Sequence, residues 1–282
     1  MAVCGCIIPS MRFKERQTSI VIIRGGGDLA SGVALRLHRV GFQVLVTELP
    51  EPLVVRRLAS FAQAVFDGNC QVEEVHGQLV NSVDAAINAM GSGQVAVMVD
   101  PPAESRKNLA PYGLVDGRMT KKAPDLGMDA APIVVGLGPG FTAGVNCHAV
   151  VETNRGPFLG RVYWEGCAEP DSGLPETVKG FTGERVLYAP QEGFLRSVAE
   201  IGEVIDTGAI IAEIDGVPVT ARFKGVVRGL IQTGLYVKKG MKIGDLDPRC
   251  DTRLCRIASE KALAIGGGVL EALLARDHGS NL

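Results

Sequence analysis

The chain has 282 residues, with 29 lysines and arginines against 31 aspartates and glutamates, and a net charge of −2 gives no electrostatic footprint for nucleic acid. Hydrophobic residues at 46% and charged residues at 21% fit a globular protein of one or two domains rather than a disordered or fibrous one. No apolar run approaches the roughly 18 residues of a membrane span, and the N-terminus lacks a signal-peptide core, so no membrane partner and a cytoplasmic location are expected. The seven cysteines are odd in number, and the close pairs Cys4/Cys6 and Cys250/Cys255 have no second pair with histidines to complete a zinc site, so reduced thiols and no metal site are expected.

After a leader over residues 1–18 that carries no periodicity and need not be ordered, Ile20 to Ile23 form a β-branched run that enters three glycines. Gly25, Gly27 and Ala30 satisfy the Gly-x-Gly-x-x-Gly/Ala fingerprint, and a helix follows with Leu29, Val33, Leu37 and Val40 on one face. In such a turn Gly25 permits the bend, Gly26 and Gly27 admit a phosphate, and the helix N-terminus supplies free N–H groups. Asp28 stands at that helix start, where its carboxylate competes with phosphate for the same donors. A second strand over Gln43 to Thr47 ends at Glu48, about 20 residues past the glycines, where an acid meets ribose hydroxyls.

Glu51 to Phe66 is expected to be a helix, with Arg56 and Arg57 either gripping phosphate or forming a solvated face. A weak strand over Gln71 to Val75, a helix over Ser82 to Met90 and an apolar strand over Val95 to Val99 follow. Asp100 closes that strand before two prolines and is either a residue of the ligand rim or a turn cap. A polar loop over Gly113 to Lys122 brings Lys121 and Lys122, which suit an anionic ligand or stay solvated. Pro132 to Val135 then lead into a second glycine loop, 136–144, in which Gly138 and Gly140 could present N–H groups to an anion or form a tight structural turn. From Val145 the pattern turns to strands, Cys147 to Glu152 and Leu159 to Trp164. His148 within them is expected to be structural, and Glu152, Arg155 and Arg161 flank a turn as substrate contacts. No set of nucleophile, base and orienting group can be assembled, so whether the chain catalyses a reaction stays open.

The last third repeats. Ala189, Gly193, Gly202, Gly208 and Ala212 recur 32 residues on as Ala221, Gly225, Gly234, Gly240 and Gly244, with Leu195/Val227, Ile205/Val237 and Ile211/Ile243 in the same register. Two copies are too few for a solenoid and must bury their apolar faces against each other. The pattern resembles the biotinyl/lipoyl barrel-sandwich fold, whose carrier lysine stands on the turn joining the halves. The equivalent turn here, Asp215 to Pro218, has none, so neither biotin nor lipoate is expected. A C-terminal helix from Ile257 to Ala275, interrupted at Gly266 to Gly268, completes the chain. The fold class expected is α/β: a Rossmann-like parallel-sheet domain over 19–183, a barrel-sandwich hybrid domain over 184–249, and a 250–282 segment packing back on the first.

Together, IRGGGDLA at 23–30, RLASFAQAV at 57–65, GPGFTAG at 138–144, VETNRG at 151–156, LGRV at 159–162, KIGDLDPR at 242–249 and GGGVLE at 266–271 resemble the accessory protein family of selenium-dependent molybdenum hydroxylases, the YqeB type. The nucleotide-binding half is also similar to that of accessory proteins that sulfurate xanthine dehydrogenase. The chain departs from the family pattern at Asn146 and Pro157, where aspartate and histidine are more frequent. The resemblance implies a maturation factor whose partner is a molybdenum hydroxylase and whose glycine loops bind a dinucleotide, another nucleotide or the phosphate of molybdenum cofactor. An NAD-dependent oxidoreductase acting on a small substrate is the alternative, with Glu48 favouring NAD. Cys147, Cys167, Cys250 and Cys255 are candidates for handling selenium by element alone, and homo-oligomerisation is left open.

Overall fold

The computed structural model describes residues 19–171, 173 and 175–275; the expected leader and the Cys4/Cys6 pair lie outside them. Strands β1 (Ile20–Arg24), β2 (Gln43–Glu48), β3 (Asn69–Val72), β4 (Val75–Val80), β5 (Val95–Val99), β6 (Gly113–Asp116), β7 (Ile133–Leu137), β9 (Ala149–Val151) and β10 (Val162–Tyr163) form one sheet. Its order is β10-β9-β7-β6-β1-β2-β5-β4-β3, while β8 (Thr142–Ala143) and β11 (Gly166–Cys167) form a separate antiparallel pair. The strands from β9 to β4 pair in parallel, and only the edge pairs β10/β9 and β3/β4 are antiparallel. The chain is therefore a mixed α/β protein built on a large, mainly parallel sheet.

Alternation along the strands sorts the two faces. Val21, Ile23, Val44, Val46, Val115 and Val135 point to one side, where helices α1 (Asp28–Arg39) and α5 (Glu260–Ala275) cover them. Ile22, Leu45, Ala96 and Met98 point to the other, under helix α3 (Val83–Gly91). Helix α3 starts where expected, because the Ser82 side chain accepts a hydrogen bond from Ala85 N. Short helices α2 (Ala64–Asp67) and α4 (Arg106–Leu109) fill connections.

Three expectations are corrected. The helix over Glu51 to Phe66 is replaced by two 3-10 turns, Arg57–Ala59 and Phe61–Gln63, followed by the single turn α2. Its arginines are drawn across the molecule instead: Arg57 Nε donates to Leu230 O at 2.7 Å, and Arg56 Nη2 donates to Leu254 O and Ile257 O at 2.9 and 2.8 Å. Gly113–Asp116 is the buried strand β6 rather than a loop, its Asp116 made tolerable by Arg24 and Arg118. Helix α5 is continuous through Gly266 to Gly268. Close crossing explains those glycines: a Cβ at Gly266 would lie 2.8 Å from Gly32 O of α1, and one at Gly268 would lie 2.2 Å from Gly160 O.

The repeat forms two further four-stranded sheets, from β12 (Val186–Tyr188), β13 (Gly193–Ser197), β14 (Val204–Ile205), β15 (Ile210–Ile214), β16 (Val217–Thr220), β17 (Gly225–Leu230), β18 (Tyr236–Val237) and β19 (Lys242–Asp247). One runs β12-β19-β17-β14 and the other β16-β15-β13-β18. Each sheet takes two strands from each copy, and exchanging the copies converts one order into the other. Backbone bonds repeat in the same way: Gly202 N donates to Val227 O and Gly234 N to Leu195 O, while Gly208 N donates to Ala221 O and Gly240 N to Ala189 O. Leu195, Val227, Ile205, Val237, Ile211 and Ile243 share the core between the sheets.

Candidate functional site

The order of the main sheet reverses beside β1, between β6 on one side and β2 on the other, and a crevice opens at the carboxyl ends of those strands. It is a cleft of about 500 Å³, lined by Arg24, Gly25, Gly27, Asp28, Glu48 and Arg118 among others. Its floor is the glycine turn. Gly25 has φ +87°, a left-handed conformation that glycine adopts without strain, and its N–H donates to Thr47 O at 2.8 Å. At Gly26 a Cβ would lie 2.8 Å from Ala62 N, so close packing demands its absence.

Gly27 differs from both. Its φ of −65° and ψ of 176° suit any residue, and a Cβ there would meet nothing within 4 Å. Neither backbone nor packing requires this glycine, and its open side faces the cleft. It is the N-cap of the 12-residue α1, and no side chain caps it. The first N–H groups of a helix have no intrahelical partners, so this rim offers donors and the positive end of the helix dipole.

Behind the turn lies an ion cluster. Arg24, 1% exposed, donates to Asp125 Oδ1 and Oδ2 at 2.8 Å each, to Pro101 O at 2.8 Å and to Asp116 Oδ2 at 3.3 Å. Arg118 forks onto Asp116 with bonds of 2.9 and 2.6 Å and reaches Asp125 at 2.6 Å. The Arg24 guanidinium holds the Asp125 carboxyl well below the usual carboxylate range, against some desolvation and with help from Arg118. Asp125 thereby pins the loop after β6 over the glycine turn. The residues of this cluster are 92 and 101 positions apart.

The other expected site residues divide. Glu48 lines the cleft, but its Oε2 accepts the Gly26 N–H at 2.6 Å and its Oε1 the Leu49 N–H at 2.7 Å, so the carboxylate first serves to hold the turn. Asp100 is the turn cap: its oxygens accept the N–H groups of Glu104 and Ser105 at 3.0 and 2.8 Å. Lys121 pairs with Asp171 and lines a smaller recess beside Pro139 and Lys261. Lys122 is exposed and not among the residues of the cleft wall. Gly138 and Gly140 are also outside that wall, and their alternation with Gly136 is steric. A Cβ would lie 2.1 Å from the Phe141 ring at Gly136, 3.0 Å from Thr153 Oγ1 at Gly138 and 2.1 Å from Thr120 O at Gly140.

His148 accepts from Val134 N at 2.9 Å, and the fully buried Glu152 accepts the N–H groups of Thr153, Asn154 and Glu169, so both serve the fold. Arg155 pairs with Glu176 and Glu260, and Arg161 lies over the Phe158 ring. Burial raises the thiols of Cys70 and Cys147 to about 11 and lifts that of Cys255, which suits none of them to thiolate chemistry, while Cys167 is exposed. Among the described residues no cluster of three or more His, Cys, Asp or Glu could hold a metal ion, and no helix is long and apolar enough to cross a membrane.

With this geometry in place, one relative stands out. The chain is 46% identical over 259 residues to the uncharacterized protein YqeB of Escherichia coli. The match takes in 92% of this chain and fits a YqeB-type family, but the chain spans about half the length of that relative, 48%. No family model matches. Among solved structures, an aspartoacylase family protein from Mesorhizobium loti aligns with 81% of this chain and 84% of its own at 14% identity and a TM-score of 0.28. The product-bound ectoine utilization protein EutE (DoeB) from Ruegeria pomeroyi aligns with 80% and 56% at 11% identity and a TM-score of 0.23. Likenesses at these scores bear on neither fold nor function.

Proposed function

We propose that this chain is an accessory factor in the maturation of a selenium-dependent molybdenum hydroxylase, and that it binds the phosphate of a nucleotide or of molybdenum cofactor at the Gly27 rim. The observation that carries the binding step is the empty space over Gly27, at an uncapped helix N-terminus that faces a cleft. A side chain there would fill the space where phosphate oxygens meet backbone N–H groups. The maturation role rests on the resemblance set out above alone; the 46% identity to an uncharacterized YqeB protein bears on the family type and not on the role.

The α/β half is read as Rossmann-like because a glycine turn joins β1 to α1 at the point where strand order reverses. Residues 184–249 are read as a barrel-sandwich hybrid because the two repeats exchange strands between sheets. The turn between β15 and β16 carries Asp215 at φ 46° and Gly216 at φ 84°, and no lysine. A carrier-like unit without its attachment residue is suited to docking the hydroxylase rather than ferrying a group. Calorimetric titration of the full chain with ADP, NAD and isolated molybdenum cofactor, together with mass spectrometry of whatever co-purifies, tests the reading. Saturable binding of at least one is expected; binding of none would overturn it.

A further inference from the structure

A second cleft of about 550 Å³ lies on the far side of Asp28 and Leu29, the two residues it shares with the first. Its walls come from the start of α5, from β12, β17 and β19, and from Asn154, Arg155, Glu169, Asp171, Pro175 and Glu176. Of its five carboxylates, four are already matched: Asp28 to Arg56 at 3.4 Å, Asp171 to Lys121, Glu176 to Arg155 at 2.9 Å, and Asp245 to Arg185 and Arg228 at 3.4 and 3.2 Å. Lys261 lines the same space, and no carboxylate of the described residues lies within ion-pair distance of it.

The arginines of this cleft are incompletely bonded as well. The side chains of Arg56, Arg185 and Arg228 are only 8%, 4% and 12% exposed, and in each the buried Nε has no hydrogen-bond partner. Burial, and then the like charge of Arg228, lower the pKa of Arg56; burial, and then Arg155, lower that of Lys261. An unpaired cation such as Lys261 is costly away from water, and an anion in the cleft that Lys261 and Arg228 both line would relieve it.

We propose that this second cleft is an oxyanion site for a phosphate-bearing small molecule, gripped by Lys261 and Arg228 with Arg56 behind them, and separate from the Gly27 rim. The inference stands on these residues alone and does not depend on the maturation reading. Titration calorimetry of the full chain with inorganic phosphate and with pyrophosphate at low salt reads it out. Wild type is expected to bind one equivalent saturably at this cleft, beside any held at the Gly27 rim. Lys261→Met is expected to weaken that binding about tenfold or more, the loss of one charge-assisted hydrogen bond, and Lys261→Arg to restore part of it. Gly27→Val, which removes any phosphate held at the rim, is expected to leave the Lys261-dependent part of the binding in place. No saturable binding to wild type, wild-type affinity in Lys261→Met, or equal losses in Gly27→Val and Lys261→Met would each overturn the proposal. Circular dichroism checks that Lys261→Met is folded; should it not be, Arg228→Met takes its place under the same criteria. A Gly27→Val chain that keeps its nucleotide affinity would sink the rim reading and leave this one standing.

Discussion

Gly26 and Gly27 are adjacent and chemically identical, yet only Gly26 is crowded, and substituting each with alanine tests whether folding and the proposed binding separate. A Cβ at Gly26 would sit 2.8 Å from Ala62 N, 3.0 Å from Val46 Cγ1 and 3.2 Å from Ala62 Cα. Two of those atoms are backbone held by the Ala62 N to Gly26 O bond at 3.0 Å, so the clash cannot be relieved by a rotamer change. Overpacking of this kind costs about 1–3 kcal/mol. At Gly27 nothing lies within 4 Å and φ is −65°, so alanine fits. It loses roughly 0.5–1 kcal/mol of N-cap preference and regains about 0.4–1 kcal/mol through the less flexible unfolded chain, leaving stability nearly unchanged. The same methyl group intrudes where phosphate would approach; losing one charge-assisted hydrogen bond of about 1.5–3 kcal/mol predicts roughly a 10- to 100-fold weaker ligand. Urea unfolding and calorimetry on both variants provide the measurement. If Gly27→Ala unfolds as easily as Gly26→Ala, or binds the ligand as wild type does, the division of labour is wrong.

Asp125→Asn should destabilise the chain at neutral pH, and the deficit should shrink as pH falls. The depressed folded-state value means that Asp125 contributes stability above its unfolded value of about 3.9 and loses it as pH falls towards the folded one, which unfolding titrations at pH 7 and pH 3 will read. Gly266→Ala should cost about 1–3 kcal/mol by forcing α5 off α1, visible as a lower unfolding midpoint with an unchanged slope. With iodoacetamide at pH 8, Cys167 should be alkylated first among the described cysteines, whereas Cys70 and Cys147, at about 11, hold only on the order of 0.1% thiolate and are buried or partly buried; peptide mapping that finds Cys147 labelled as fast as Cys167 would contradict this. Asp28→Asn should tighten phosphate at the Gly27 rim by roughly two- to fivefold, the scale of one charge at a helix N-terminus, and weaker binding would show that Asp28 assists the ligand.

What was legible in the sequence was whatever a short window contains. Ile20 to Glu48 carries strand, glycine turn, helix and strand in one run, and each of them is present. The 32-residue offset was legible because both copies keep their glycines, and it maps β13 onto β17, β14 onto β18 and β15 onto β19. What escaped was set by contacts between distant segments. Arg24 looks like the end of a strand until Asp116 and Asp125 arrive from 92 and 101 residues away. The helical spacing of 51–66 is overridden because Arg56 and Arg57 find carbonyl acceptors on segments about 200 and 170 residues later. The second glycine loop imitates an anion nest, yet its alternation records the bulk of Phe141 and the Thr120 carbonyl. Gly27 is the reverse case: the fingerprint singled it out, and only the structure distinguishes it from its neighbours.

The first turn of α1 stands between two clefts of similar size, and this changes the meaning of Asp28. At a helix N-terminus a carboxylate is favourable in the empty protein and an obstacle to a phosphate. Here it leans to the far side, towards Arg56 at 3.4 Å, a distance at the long end of a hydrogen bond. Arg56 is in turn fixed by the carbonyls of Leu254 and Ile257, so it cannot follow Asp28 if that carboxylate moves. An anion beside Arg228 and Lys261 would compete with Asp28 for the charge of Arg56, while an anion on the Gly27 rim would repel Asp28 towards it. If both proposed sites hold anions, the two events would press on the same carboxylate from opposite sides, and the clefts would be coupled through one residue with a sign unfavourable for two separate anions. A single ligand that spans the turn gains both sets of donors and displaces Asp28 only once.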